Sequence, residues 1–235
     1  MDHKIYIGIA DMMAGLMMVF LLIAVIFMLE VQQSKNEIED QMNAMAEIAE
    51  MVERSRQNLY SDLLKAFAGD LERWNAEILV DNTVRFKAPD VLFRRGDHRL
   101  QTRFKEILNS FFPRYVAILQ DYRAEIKAVR IEGHTSSDWS NGYNVATGYL
   151  GNLRLSQKRA LTTLEYCYQL SSVQAEQKWL EQVLMTNGWS SAKLILNADG
   201  SENVEKSRRV EFRVITKAVE KLDEILKRSR FLDSD

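Results

Sequence analysis

The sequence predicts a single-pass membrane protein. A short tail (1–4) leads into an N-terminal transmembrane helix (5–29) and a helical stalk read as a dimeric coiled coil (30–76). An α/β domain of one sheet covered by helices (77–217) and a C-terminal amphipathic helix (218–235) complete the chain. Three observations support this. An apolar run opens the chain, a heptad seam follows it, and beyond residue 77 the apolar spacing switches repeatedly between strand and helix periods.

Met12 to Leu29 is 18 residues without a charge. With Ile5 to Ala10 added, the run is long enough, at about 1.5 Å per helical residue, to cross a hydrocarbon core of roughly 30 Å. One carboxylate, Asp11, interrupts it. An ionised Asp in hydrocarbon costs about 2.5 kcal/mol or more, which favours a position facing a partner helix or a water-filled path. Ala14 and Gly15 follow one turn later on the same face, where small side chains let a second helix approach. Asp11 is therefore the first candidate functional residue.

Two plainer readings compete. A secretory signal peptide has a shorter apolar core and a small-residue cleavage site, which LEVQQSKNEIED does not offer. A plain anchor would hold Asp11 solvated at the interface. Lys4 on one flank and Lys35 on the other leave the positive-inside rule undecided. Because nearly all the polar mass follows the helix, the N-terminus is assigned to the cytoplasm and the domain to the opposite side.

The 235 residues carry a net charge of −2, so no basic field points to direct nucleic-acid binding. A single Cys167 excludes an internal disulfide and a cysteine metal cluster. Of the three histidines, none is read as clustered with carboxylates at ligand spacing, and His134 is taken as a packed residue at a strand end. No hydrolytic constellation appears. The expectation is a protein without catalytic residues, resident metal or cofactor.

Residues 31 to 68 lack Gly and Pro and are rich in helix formers. Ile38, Met42, Met45, Ala49, Val52, Leu59, Leu63 and Ala66 form the heptad seam, with Arg56 as its one polar intruder. A parallel homodimer and docking onto the following domain are the two ways to bury it. Gly69 marks a break. EILVDNTVRFKA then reads as two strands around Asp81 and Asn82, TRFKEILNSFFPRYVAIL as a helix, and KAVRIEGHT as a strand. The loop SSDWSNGYNVATGYLGN precedes a helix, LSQKRALTTLEYCYQL. A further helix, QKWLEQVLMTNG, and two strands, AKLIL and SRRVEFRVI, follow. Arg208 and Arg209 are read as a strand-start pair answering Glu205 and Glu211.

Four motifs in order carry a resemblance. They are Val91-Leu92-Phe93 with Gly96, Ile131-Glu132-Gly133-His134-Thr135, Asn152-x-x-Leu155-Ser156-x-x-Arg159-Ala160, and Arg208-Arg209-Val210-Glu211. Over residues 78 to 217 the chain resembles the OmpA-like peptidoglycan-binding domain. The resemblance implies that Arg159 takes a carboxylate of the wall's diaminopimelate group, for which a planar guanidinium is suited. Thr135 and Asn152 fall on positions lining the same pocket. Where the family has an acidic residue after GHT this chain has Ser136, and Asp138 is the candidate to replace its charge.

Ala10-Asp11-Met12-Met13-Ala14-Gly15-Leu16-Met17-Met18 resembles the membrane stretch of MotB-type stator subunits. That implies a homodimer ringed by a multi-span A-type subunit, with Asp11 binding and releasing the transported ion. Hydrocarbon disfavours a charged carboxylate, which suits the group to taking up and giving back a proton. The scarcity of nearby hydroxyls favours H⁺ over Na⁺. The short tail, the missing long linker, the GHTSSDW loop and the YLGNLRLSQKRA segment resemble the B subunits of Zorya, a bacterial anti-phage system whose A and B components form an inner-membrane motor. Cytoplasmic effectors reached through the A subunit would complete it. A flagellar stator subunit and a passive membrane-to-wall tether remain open as alternatives.

Overall fold

The computed structural model describes residues 2–87, 89–138 and 145–217. The helix expected over 218–235, and the middle of the loop after His134, lie outside the described residues. The chain divides into two compact units, one ending at Glu50 and one beginning at Met51.

In the first unit the apolar run forms part of helix α1, Asp2–Leu71. One helix among the described residues is long and apolar enough to cross a membrane. Its large apolar side chains from Met12 to Val31 are exposed, and an apolar surface of that extent belongs against lipid or protein.

The second unit opens with the last turns of α1, which pass through Gly69 without a break and stop at Leu71. Here the last part of the seam takes the second of the two ways to bury it. Leu59 and Leu63, two of its positions, are buried in the domain core together with Phe67, while Ile38 and Met42 are exposed. An apolar stripe buries itself against whichever apolar surface is within reach, and the domain supplies one. What the seam offers a second helix therefore lies upstream of Leu59. Polar ties reinforce the docking: the Tyr122 hydroxyl donates to Asp62 (2.6 Å), Arg114 pairs with Asp70 (2.6 Å), and Ser55 donates to Glu125.

The strands are β1 (Ala76–Ile78), β2 (Val84–Phe86), β3 (Ile126–Gly133), β4 (Leu184–Gly188) and β5 (Val210–Thr216). They pair in the order β1-β2-β5-β3-β4, and only β3 and β4 run parallel. Between them lie α2 (Pro89–Leu92), α3 (Thr102–Asp121), α4 (Val145–Tyr168), a 3-10 turn (Ser171–Glu176), α5 (Gln177–Val183) and α6 (Val204–Ser207). Alternation sends Val84, Phe86, Val129, Ile131, Val210 and Phe212 into the core. There they meet Phe104, Phe111, Phe112 and Tyr115 of α3. The ring of Phe111 stands within 6.2 Å of five others, those of Phe67, Trp74, Phe86, Tyr115 and Phe212.

Two elements differ from the expectation. LMTNG is strand β4, not the end of a helix. The free edge of β3 needs a partner for its N–H and C=O groups, and Asn187-Gly188 is poor helix sequence. AKLIL is a turn: Ala192 N–H bonds to the Trp189 carbonyl (3.0 Å), and exposed Leu196 makes only an isolated bridge to Glu202. α4 also begins at Val145, well before Leu155.

Candidate functional site

The site is built where α4 meets the ends of β3 and β4. A Cβ on Gly133 would stand 2.2 Å from the Ser156 carbonyl oxygen, and one on Gly188 2.5 Å from the Gln157 nitrogen, so only glycine admits the helix this close. The Ser156 hydroxyl fastens the contact. It accepts from Ser190 N–H (3.0 Å) and donates to the Leu153 carbonyl (2.9 Å). Positions 152, 156 and 159 share one helical face, so the same docking presents Asn152 and Arg159.

Asn152 donates through Nδ2 to the Ser136 carbonyl (3.1 Å), and Thr135 N–H bonds to the Ser190 carbonyl (3.0 Å). Thr135, Ser136 and Asn152 are all buried, and the Asn152–Ser136 bond brings α4 onto the segment that carries Thr135. The Thr135 hydroxyl has no partner among the described residues. Arg159 is 7% exposed. Its Nε donates to the Asp97 carbonyl (2.9 Å), one terminal nitrogen donates to the Arg94 carbonyl (3.2 Å), and the guanidinium lies 4.8 Å over the Phe93 ring. Burial pushes this guanidinium down to about 10, with the nearby Arg208 charge adding to the effect and Asp97 opposing it. It stays a cation at neutral pH. Arg208 itself keeps a buried Nε without a partner among the described residues. Asp138 stands further out and pairs with Arg95 (2.8 Å).

Asp11 lies on exposed α1, in the other unit. A Cβ on Gly15, one turn on, would meet nothing within 4 Å, so that face is open to a closely packed helix.

The sequence reading missed a buried charge cluster on the opposite sheet face. Glu132 stands directly across from Glu211 in the β3–β5 register, and His134 Nε2 lies 3.7 and 3.5 Å from an oxygen of each. These three residues offer one ligand atom each within 4.8 Å of one another and are the described set that could hold a metal ion. The other oxygens are already bonded to cations, however. Arg209 (2.6 Å) and Arg85 (2.7 Å) hold Glu211, and Arg130 (3.3 Å) holds Glu132. Burial alone would raise the Glu211 carboxyl, but His134 and Arg209 outweigh it and keep it well below the usual carboxylate range. These pairs tie β2 to β5, while Glu132 Oε2 and His134 Nε2, which face each other, have no hydrogen-bond partner among the described residues. A signal was present in Glu132-x-His134, since residues two apart on a strand share a face.

Residues 92–211 match the OmpA family. Over 218 residues, 92% of this chain and 90% of the relative, the sequence is 41% identical to the Zorya protein ZorB of Escherichia coli (strain ATCC 8739, Crooks). The chain belongs to the ZorB family. Its OmpA-family region takes in the Arg94–Asp97 loop, α4 and the buried ion pairs of β3 and β5, whereas α1 and the β1–β2 hairpin precede it. Among solved structures, it is similar to the cell wall anchor of the T6SS from Pseudomonas aeruginosa. That match has 18% identity, covers 66% of this chain and 96% of that one, and has a TM-score of 0.46. A putative MotB like protein from Desulfovibrio vulgaris matches at 18% identity over 73% of this chain and 94% of that one, with a TM-score of 0.49.

Proposed function

We propose that this ZorB-family chain is the wall-anchored B subunit of a proton-driven inner-membrane motor acting in Zorya-type defence against phage. The observation that carries the reading is that the ZorB similarity covers 92% of the chain, too much to be confined to the OmpA-family region and therefore taking in α1 sequence as well. In this reading α1 crosses the membrane once with its N-terminus in the cytoplasm. Asp11 carries H⁺ between a second copy of the helix and a ring of multi-span A subunits. The domain holds peptidoglycan through Arg159 and Asp138, with Thr135, Ser136 and Asn152 shaping the site.

Asp11→Asn keeps the shape of the side chain and removes its exchangeable proton. In cells carrying the whole operon, with equal membrane levels of the protein, plaque counts should return to those of undefended cells. Protection that survives the change would make the protein a passive tether, and a wild type that never protects would send the question to a swimming assay.

Wall binding is tested separately. Arg159→Lys keeps a cation but loses the planar fork. Hydrogen bonds to charged groups are worth about 1.5–3 kcal/mol, so sedimentation with purified sacculi should weaken about tenfold or more. Unchanged sedimentation in a variant with a normal melting curve would remove Arg159 from the site.

A further inference from the structure

We infer that the Arg94–Asp97 loop is the internal occupant of the wall site, and that Arg95 sets how readily the site accepts a ligand carrying both a carboxylate and an ammonium. The inference rests on the peptidoglycan reading above. The two charges assigned to such a ligand, Arg159 for its carboxylate and Asp138 for its ammonium, are engaged by the same short loop. Arg159 is held by the Arg94 and Asp97 carbonyls, and Asp138 by the Arg95 guanidinium.

The loop is shaped for this. Phe93 and Leu100 form a bridge at its base, and Gln101 N–H bonds to the Leu92 carbonyl (3.1 Å). Gly96 takes a φ of 71°, and Asp97 N–H closes the turn onto the Arg94 carbonyl (3.0 Å). With Gly96 in that conformation, Arg95 and the carbonyls on either side of it meet two different partners at once.

The two contacts are of unequal kind. The acceptors given to Arg159 are neutral carbonyls, and a ligand carboxylate makes charge-assisted bonds roughly twice as strong. That exchange runs toward the ligand. Arg95 is different because it brings a full positive charge to the carboxylate that an incoming ammonium needs, and so competes with it directly. The pair is exposed, with the two side chains 68% and 50% accessible, and exposed ion pairs are weak. Arg95 is thus a latch that a ligand can displace.

Removing the latch should tighten wall binding about two- to fivefold, the range an exposed pair can account for. General electrostatics predicts the reverse, since deleting a cation weakens attraction to an anionic polymer. The test is co-sedimentation of the full chain, in detergent, with purified sacculi over a concentration series. The proteins compared are wild type, Arg95→Ala, Arg99→Ala and Arg95→Ala combined with Asp138→Asn. Arg99 is the charge-matched control, because it stands just beyond the loop and pairs with Asp97 (2.7 Å), whereas Arg95 pairs with Asp138.

Arg95→Ala should gain affinity, Arg99→Ala should not, and the double variant should lose the gain. If wild type sediments and Arg95→Ala binds no better, the latch is overturned and wall binding stands. Equal gains in both single variants overturn it too, because Asp138 would then play no part. A wild type that does not sediment removes the latch and the wall reading together.

Discussion

Gly133→Ala should destabilise the domain by about 3 kcal/mol or more and abolish sedimentation with sacculi. The added Cβ would stand 2.2 Å from the Ser156 carbonyl oxygen and 3.0 Å from its carbon. These are backbone atoms of α4, so no side chain can swing aside and the helix itself has to move. Overpacking a core costs about 1–3 kcal/mol when side chains adjust, and displacing a helix lies at or beyond the top of that range. A loss of that size should lower the melting temperature of the detergent-solubilised chain by roughly 6–12 °C. Binding should fail further than stability alone dictates, because the displaced helix carries Asn152 and Arg159. Gly69→Ala is the internal control: its Cβ meets nothing within 4 Å, and alanine in a helix is favoured by about 0.5–1 kcal/mol. A Gly133→Ala protein that melts with wild type would mean that α4 does not sit against β3 as described.

Phe111→Ala should cost about 3–5 kcal/mol, the range for deleting a buried aromatic. Phe111 is fully buried, stacks on Tyr115 at 4.9 Å, and meets Phe86 and Phe212 edge-on at 5.1 Å each. It also lies 5.2 Å from Phe67 at the end of α1. Its removal should loosen both the sheet contact and the α1 contact, so chemical denaturation should shift to lower denaturant in one transition. Two separated transitions would show that the end of α1 holds to the domain without this ring. Phe111→Leu, which refills much of the space, should recover most of the loss.

The parts of this fold legible in the sequence are those whose burial is local and one-sided. Val84 and Phe86 alternate around Arg85, Phe104 to Phe112 recur at helical spacing, and Val210, Phe212 and Val214 alternate along β5. Each segment announces its own buried face. β4 does not, because Leu184–Gly188 is an edge strand whose residues are mostly half-buried, and its strand character comes from pairing with β3, far away in sequence. AKLIL fails in the opposite sense: Leu194 and Leu196 alternate, yet the chain there is held by Ile195 N–H bonding to the Ser207 hydroxyl (2.9 Å).

The candidate site divides the same way. Thr135, Ser136, Asn152 and Arg159 sit in motifs, which is why the sequence singles them out, and the Asn152–Ser136 bond places the first three together. Arg95 carries no motif, and only the Gly96 turn aims it at Asp138. Glu211 and His134 stand far apart along the chain, and the β3–β5 register alone makes them neighbours.

The last turns of α1 have a mechanical consequence. Leu59, Leu63 and Phe67 are inserted side by side in the core, and the Arg114–Asp70 pair and the Tyr122–Asp62 bond lie along the same stretch. A pull along this segment loads all of them in shear, in parallel, so the joint yields only when every contact slides at once. A strand peeled from a sheet edge breaks one bond at a time. The domain is gripped as a lap joint grips, over a length instead of at a point.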